Sequence, residues 1–184
     1  QAWRLKGQAL LRLQKFEDAR SAFDQSITHS AEAFVFADRA ARSLINMQLQ
    51  DYEAAQAEVI ELLELSPEDP TANYIQGLLY FQEKKYRDAI TALTLAVPAA
   101  KQFPLTLSSL GVSYLFENDV DLAAKFASQF FAVSPDNANG RKLYATTLVL
   151  QNKVKDAQAV LRPVLDNNPD DVGAVEIANA IDRL

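Results

Sequence analysis

The sequence contains no cysteine and only one histidine, His29, among its 184 residues. Without cysteine, the chain has no disulfide, no thiolate metal site and no cysteine nucleophile. A lone histidine leaves little for acid–base catalysis, which needs a positioned partner in a cleft. The five glycines include no phosphate-binding loop, and no apolar run reaches the length of a transmembrane helix. These absences exclude several common classes of enzyme and any membrane span within this sequence.

The charge is acidic, with 24 Asp and Glu residues against 18 Lys and Arg residues and a net charge of −6. Nucleic-acid binding depends on Lys and Arg, so we predict no nucleic-acid partner. The carboxylates are scattered: Glu61 and Glu64 share a predicted helix face with few further ligands nearby, and DNNPDD lacks the spacing of a calcium loop. We therefore predict no metal, no cofactor and no enzymatic activity.

An apolar content of 49% is enough for a folded core, and the length predicts one domain.

A short pattern recurs five times along the chain. Each copy opens with a charged residue, continues with an aromatic residue or Val, and has an alanine three positions later. These alanines are spaced by 36, 34, 34 and 34 residues, and a small residue stands twelve positions before each of them. The alanines are Ala19, Ala55, Ala89, Ala123 and Ala157, and the small residues are Gly7, Ser43, Gly77, Gly111 and Ala145. A fixed interval of this size indicates a repeat architecture.

Within each repeat, apolar residues recur at intervals of three and four, which predicts two helices, and no stretch alternates as a strand would. The polar turns between them are so short that the two helices must be antiparallel neighbours. We predict repeats over residues 1–33, 36–69, 70–103, 104–137 and 138–171, followed by a terminal helix over 172–184. The small residues are expected where helix axes approach closely, since a larger side chain would overpack by about 1–3 kcal/mol. Pro98 predicts an early helix end, and Pro163 predicts a kinked or shortened helix.

These positions resemble the tetratricopeptide repeat. Trp3, Gly7, Leu10, Ala19 and Phe23 occupy its characteristic places in the first repeat, as do Leu107, Gly111, Tyr114, Ala123 and Pro135 in the fourth. The resemblance implies an all-α, right-handed superhelix of about five helix pairs plus a C-terminal helix, forming one solenoid domain over residues 1–184. It further implies a non-catalytic scaffold that binds a partner polypeptide in a concave groove.

In this family the first helix of each repeat lines the groove. The resemblance therefore implies groove positions at Arg4, Gln8, Leu44, Met47, Tyr74, Leu78, Phe81, Ser108, Val112, Leu115, Lys142, Thr146 and Val149. Packing between repeats is the competing interpretation for each apolar member of this set. The Lys and Asn clamp that grips chaperone tails has only Arg4 and Gln8 as partial counterparts, so we predict no binding of that type.

The stretch SPDNANGRKLYATTLVLQNKVKDAQAVLRPVL, within a longer similar run, resembles the repeats of bacterial PEP-CTERM system lipoproteins. That resemblance implies a periplasmic or outer-membrane-tethered scaffold in envelope protein sorting or exopolysaccharide assembly. Similar repeats occur in cellulose-export subunits, so the alternative is a structural spacer of a polysaccharide-export complex without a peptide ligand. Helix faces exposed at both chain ends, with Trp3 among them, predict end-to-end self-association.

Overall fold

The computed structural model describes residues 1–29 and 31–184. These residues form eleven α-helices and no strand, which confirms the predicted all-α class. The helices are α1 (Ala2–Arg12), α2 (Phe16–His29), α3 (Glu32–Gln48), α4 (Tyr52–Leu65), α5 (Pro70–Gln82), α6 (Tyr86–Ala96), α7 (Leu105–Phe116), α8 (Val120–Val133), α9 (Ala138–Leu150), α10 (Val154–Asn167) and α11 (Val172–Ile181). Helix α3 has 17 residues and begins at Glu32, ahead of residue 36, where the second repeat was predicted to start. Its greater length accommodates the spacing of 36 residues between Ala19 and Ala55, where the other repeats have 34.

Packing divides the chain into two compact units, residues 1–79 and residues 80–184. In the first unit α1 packs on α2, α2 on α3, and α3 on α4. In the second unit α6 to α10 pack in the same consecutive manner, and α11 lies against α9 and α10. Each unit is therefore a stack of helices in chain order, as expected when a hairpin buries its apolar face against the next one. That the whole chain forms one domain stays a prediction.

The turn between the two helices of each repeat has the same backbone geometry five times. The residue after the first helix and its cap has a positive φ of 56–62°, at Gln14, Gln50, Lys84, Asn118 and Asn152. The following N–H donates to a carbonyl five residues back, as from Lys15 to Leu10 and from Lys153 to Leu148, at 2.9 and 2.8 Å. This bond pattern closes the helix with a left-handed residue, a position where glycine is common but is not used here.

Three of the five small residues of the repeat, Gly7, Ser43 and Gly111, lie at helix contacts, as predicted. A Cβ on Gly7 would lie 2.7 Å from the ring of Phe23, and one on Gly111 would lie 3.4 Å from the backbone nitrogen of Ala127. In repeat two, the Ser43 hydroxyl instead donates to the carbonyl of Ala55 at 2.9 Å, so the position also serves as a link between helices.

The two prolines behave differently from each other. As predicted, the helix before Pro98 ends early: α6 stops at Ala96 and a 3-10 turn covers Val97–Ala99. Of the two outcomes predicted at Pro163, the shortening is wrong, because α10 continues through Pro163 to Asn167, and the kink stays a prediction. Leu161 and Val164, on either side of Pro163, are buried in one apolar cluster with residues of α9 and α11. This packing holds the last turn of α10 in place despite the hydrogen bond that proline removes.

Candidate functional site

In the first unit, Arg4 is committed to an ion pair and not free for a ligand. Its Nε lies 2.6 Å from a carboxylate oxygen of Asp38, which is only 1% exposed and also accepts a hydrogen bond from the Ser26 hydroxyl at 2.7 Å. A second guanidinium nitrogen donates to the carbonyl of Phe34 at 2.6 Å, and the guanidinium lies 4.4 Å from the centre of the Phe34 ring. Arg4 therefore links the first helix of repeat one to the first helix of repeat two.

Tyr74, another predicted groove residue in this unit, is 6% exposed, and its burial raises the pKa of the phenol to about 12. Little of its surface is available to a ligand. Leu44, Met47 and Leu78 are half-buried, whereas Gln8 is exposed. The first unit thus places several of the predicted positions in repeat packing.

In the second unit, three predicted groove residues come together. Phe81 at the end of α5 and Ser108 and Val112 of α7 line one cavity of about 240 Å³. We call it the first-helix cavity, since α5, α7 and α9 are the first helices of successive repeats. Its full lining is Phe81, Leu105, Ser108, Ser109, Val112, Phe130, Asn137, Asn139 and Leu143. All these residues belong to residues 80–184.

Local helix geometry places one wall of the cavity. Leu105, Ser108, Ser109 and Val112 follow at intervals of three, one and three along α7, so they share one helix face. The start of α9 forms another part of the lining, where the Asn137 side chain accepts a hydrogen bond from the Gly140 N–H at 2.8 Å and caps the helix.

Gly140 allows the Phe130 ring to lie against the start of α9. A Cβ at this position would be 2.9 Å from two atoms of that ring, closer than real contacts permit. Gly140 lies outside the recurring small positions of the repeat. Its partner Phe130 is ten residues away on the preceding helix, α8, and the repeat pattern carries no signal for that pair.

The lining of the first-helix cavity is mainly apolar and carries no charge. Its polar groups are two hydroxyls and two carboxamides, and none of the nine lining residues is ionisable. Ser108 donates to the carbonyl of Leu105 at 3.1 Å. Ser109 is 7% exposed, and its side chain has no hydrogen-bond partner among the residues that the structure describes. This hydroxyl lies on the cavity wall and is available to water or to a ligand.

The remaining predicted positions of the second unit lie outside this cavity. Lys142 Nζ lies 3.0 Å from both carboxylate oxygens of Asp171. The pKa of Asp171 is lowered first by the backbone N–H of Ala174 and then by Lys142. Thr146 donates to the Lys142 carbonyl at 2.9 Å, Val149 packs on the C-terminal apolar cluster, and Leu115 is half-buried.

Six residues of the cavity were missed by sequence reasoning: Leu105, Ser109, Phe130, Asn137, Asn139 and Leu143. Leu105 and Ser109 could have been found, because both share the α7 face with Ser108 and Val112. Phe130 could not, since it lies on a second helix, which the family resemblance assigns to the outside of the groove.

Other chemistry has little support in the described part of the chain. No group of three or more His, Asp or Glu side chains there is arranged to hold a metal ion. His29 is exposed, with its ring nitrogen Nδ1 2.9 Å from the carbonyl oxygen of Gln25. No helix in residues 1–29 or 31–184 has the length and apolar character needed to cross a membrane.

Two family models, both described as tetratricopeptide repeat, match most of the chain. One matches residues 1–34 and 39–104, and the other matches residues 115–178. Both describe a repeat and neither describes a catalytic domain. No curated protein sequence matches the chain. None of these results supports the narrower resemblance to PEP-CTERM system lipoproteins.

Solved structures with the same fold share little sequence with this chain. A chain of the APC/C hetero-tetramer Cut9–Hcn1 has a TM-score of 0.82 and 18% identity; the match covers 98% of this chain and 35% of the other. YrrB, described as a tetratricopeptide repeat protein with an unusual peptide-binding site, has a TM-score of 0.75 and 18% identity, covering 87% and 81%. TTC0263 of Thermus thermophilus, also a protein of these repeats, has a TM-score of 0.67 and 16% identity, covering 98% and 97%. The predicted repeat fold is confirmed.

Proposed function

We propose that this chain, which belongs to the tetratricopeptide repeat family, is a non-catalytic scaffold that binds a partner polypeptide at the first-helix cavity. The observation that carries the proposal is that Phe81 and residues of α7, α8 and α9 line one uncharged, mainly apolar cavity. Apolar walls with a few polar groups are the usual composition of a binding site. A cavity without an ionisable side chain offers no group for general acid–base catalysis.

The size of the cavity favours a polypeptide over a small molecule. Pockets for drug-sized ligands measure about 300–1,000 Å³, and this cavity holds about 240 Å³. It therefore accepts one side chain of a longer ligand, while the rest of the ligand lies on the surrounding helix faces. The solved structure of YrrB, described as having a peptide-binding site, supports a ligand of this class for a chain of similar fold.

A blocked-cavity experiment tests the proposal. Short peptides selected from a displayed random library on the immobilised chain should bind in solution, and Val112→Trp should weaken that binding at least about tenfold by filling the cavity. Thr146→Trp is the matched control: Thr146 holds the same repeat position 34 residues later, outside the cavity. Equal binding to the wild type and to Val112→Trp, with both folded by circular dichroism, would place the site elsewhere. Failure to enrich any peptide would favour the structural-spacer alternative.

A role in a bacterial envelope assembly rests only on the sequence resemblance to PEP-CTERM system repeats. The full-length reading frame tests it, because a leader followed by a lipid-attachment cysteine would indicate a periplasmic or outer-membrane-tethered lipoprotein. A full-length reading frame without such a segment would contradict this role.

End-to-end self-association is also part of the proposal. At the start of the first unit, Trp3 and Leu5 are 40% and 64% exposed, and Trp3, Lys6 and Leu10 line a cavity of about 470 Å³. An open apolar face of this kind suits a further helix. Light scattering over a concentration series should show the mass rising, and Trp3→Lys should suppress the rise. A mass that stays monomeric throughout would contradict self-association.

A further inference from the structure

We infer that the first-helix cavity anchors one uncharged apolar side chain of the partner, aliphatic or aromatic, and that Ser109 and Asn139 hydrogen-bond the peptide groups beside it. This inference rests on the proposed function and specifies the chemistry of the ligand. The inference is based on three features of the lining together: its apolar walls, the unpartnered hydroxyl of Ser109 and the lack of any charge.

The walls select for an apolar side chain. Phe81, Val112, Phe130 and Leu143 face the same space, from α5, α7, α8 and α9. An apolar group in this space removes its own surface and the exposed parts of Phe81, Val112 and Leu143 from water, which is the main source of binding free energy in such sites. Phe130 is 3% exposed, so its ring is held in place before a ligand arrives.

The surroundings select against a charged side chain. The nearest cations along α9 are already engaged: the Arg141 guanidinium donates to the Val160 carbonyl at 3.3 Å and lies 5.2 Å from the centre of the Phe131 ring. Lys142 is paired with Asp171. A Lys, Asp or Glu side chain entering the cavity would therefore be desolvated without a partner of opposite charge.

The polar groups suit a peptide backbone and not a chain-terminal carboxylate. Ser109 offers both a donor and an acceptor, and Asn139 is an exposed carboxamide with the same two functions. A peptide group carries one N–H and one C=O, so the two side chains can satisfy it fully. The Gly140 N–H at the start of α9, which would otherwise attract a carboxylate, is already bonded to Asn137.

Small blocked amino acids provide a direct test on the full chain. N-acetyl-phenylalanine methylamide and N-acetyl-leucine methylamide present one apolar side chain between two neutral peptide groups, and the lysine and glutamate analogues carry a charged side chain in the same place. In two-dimensional NMR titrations, the apolar probes should shift the amide signals of Ser108, Ser109, Val112 and Leu143 saturably. The charged probes should bind at least about tenfold more weakly, because their charge would be buried unpaired.

Three variants connect the signals to the cavity. Val112→Trp should abolish the saturable shifts, and Thr146→Trp should preserve them. Ser109→Ala should weaken the phenylalanine probe about threefold to tenfold through loss of one hydrogen bond, without loss of helicity. Equal affinities for all four probes, or shifts confined to other residues, would overturn the inference.

The two proposals fail in distinguishable ways. If displayed peptides bind in a Val112-dependent manner and the apolar probes do not bind, the anchor chemistry is wrong and the scaffold function stands. If the apolar probes bind at the cavity and no displayed peptide is enriched, the anchor stands and the polypeptide ligand is wrong.

Discussion

Two arginine–carboxylate pairs in this chain have the same length and very different surroundings. Arg4 Nε lies 2.6 Å from Asp38, and Arg87 Nε lies 2.6 Å from Glu117. The side chains of the first pair are 20% and 1% exposed, whereas Arg87 is 86% exposed. We predict that Arg4→Ala is strongly destabilising and that Arg87→Ala changes the unfolding midpoint too little to measure.

The magnitude follows from what each substitution leaves behind. Without Arg4, the hydroxyl of Ser26 is the only donor that the described residues offer to the buried Asp38 carboxylate. Removing one member of a buried ion pair costs about 3–5 kcal/mol, and because Arg4 is partly exposed, water replaces some of its contact. We therefore expect a loss of about 2–3 kcal/mol in the free energy of unfolding. An exposed pair is screened by water and contributes little.

Urea unfolding followed by circular dichroism and by the fluorescence of Trp3 measures both effects. Trp3 is the only tryptophan and precedes Arg4 on α1, so an earlier change in its signal would show that repeat one unfolds before the rest. Replacing both Arg4 and Asp38 by leucine should recover at least half of the loss, because no unpaired charge then remains. The reasoning is refuted if Arg4→Ala costs no more than Arg87→Ala, or if the double variant is the least stable of the set.

Three further predictions test the repeat geometry. Lys84 has a φ of 60°, so Lys84→Gly should raise the free energy of unfolding by about 1 kcal/mol. Asn118→Gly should raise it less, since asparagine tolerates this conformation, and urea unfolding midpoints compare the two variants. In the same assay, Gly7→Ala should lower the free energy of unfolding by about 1–3 kcal/mol, because its new Cβ would lie 2.7 Å from the Phe23 ring. Gly173→Ala should leave it unchanged, because the nearest atom to its new Cβ is 3.4 Å away. Raising the pH through 10 to about 12 should destabilise the wild type by about 2 kcal/mol more than Tyr74→Phe, because the unfolded phenol loses its proton first. A flat difference between these two proteins across that pH range would contradict the burial of Tyr74.

The sequence by itself determined the repeat, the helix pairs and their close contacts. A helix has a fixed period, so apolar spacing of three and four specifies it locally, and the recurrence at 34 residues specifies that each pair meets another like it. The contact at Gly7 was predictable because a small residue recurs at the same position of every repeat, as close packing of two helices requires. The helix end before Pro98 was predictable because proline removes a donor within its own helix.

Only the tertiary structure decided which of the repeat positions line the first-helix cavity. Arg4 and Tyr74 hold groove positions by register, but a buried carboxylate engages one and packing covers the other. The first-helix cavity depends on Phe81, Ser109 and Leu143, which are far apart in sequence and line the same space within residues 80–184. A repeat pattern fixes the position of each residue on its helix. The shape of a cavity depends instead on the sizes of all the side chains around it, and those differ from one repeat to the next.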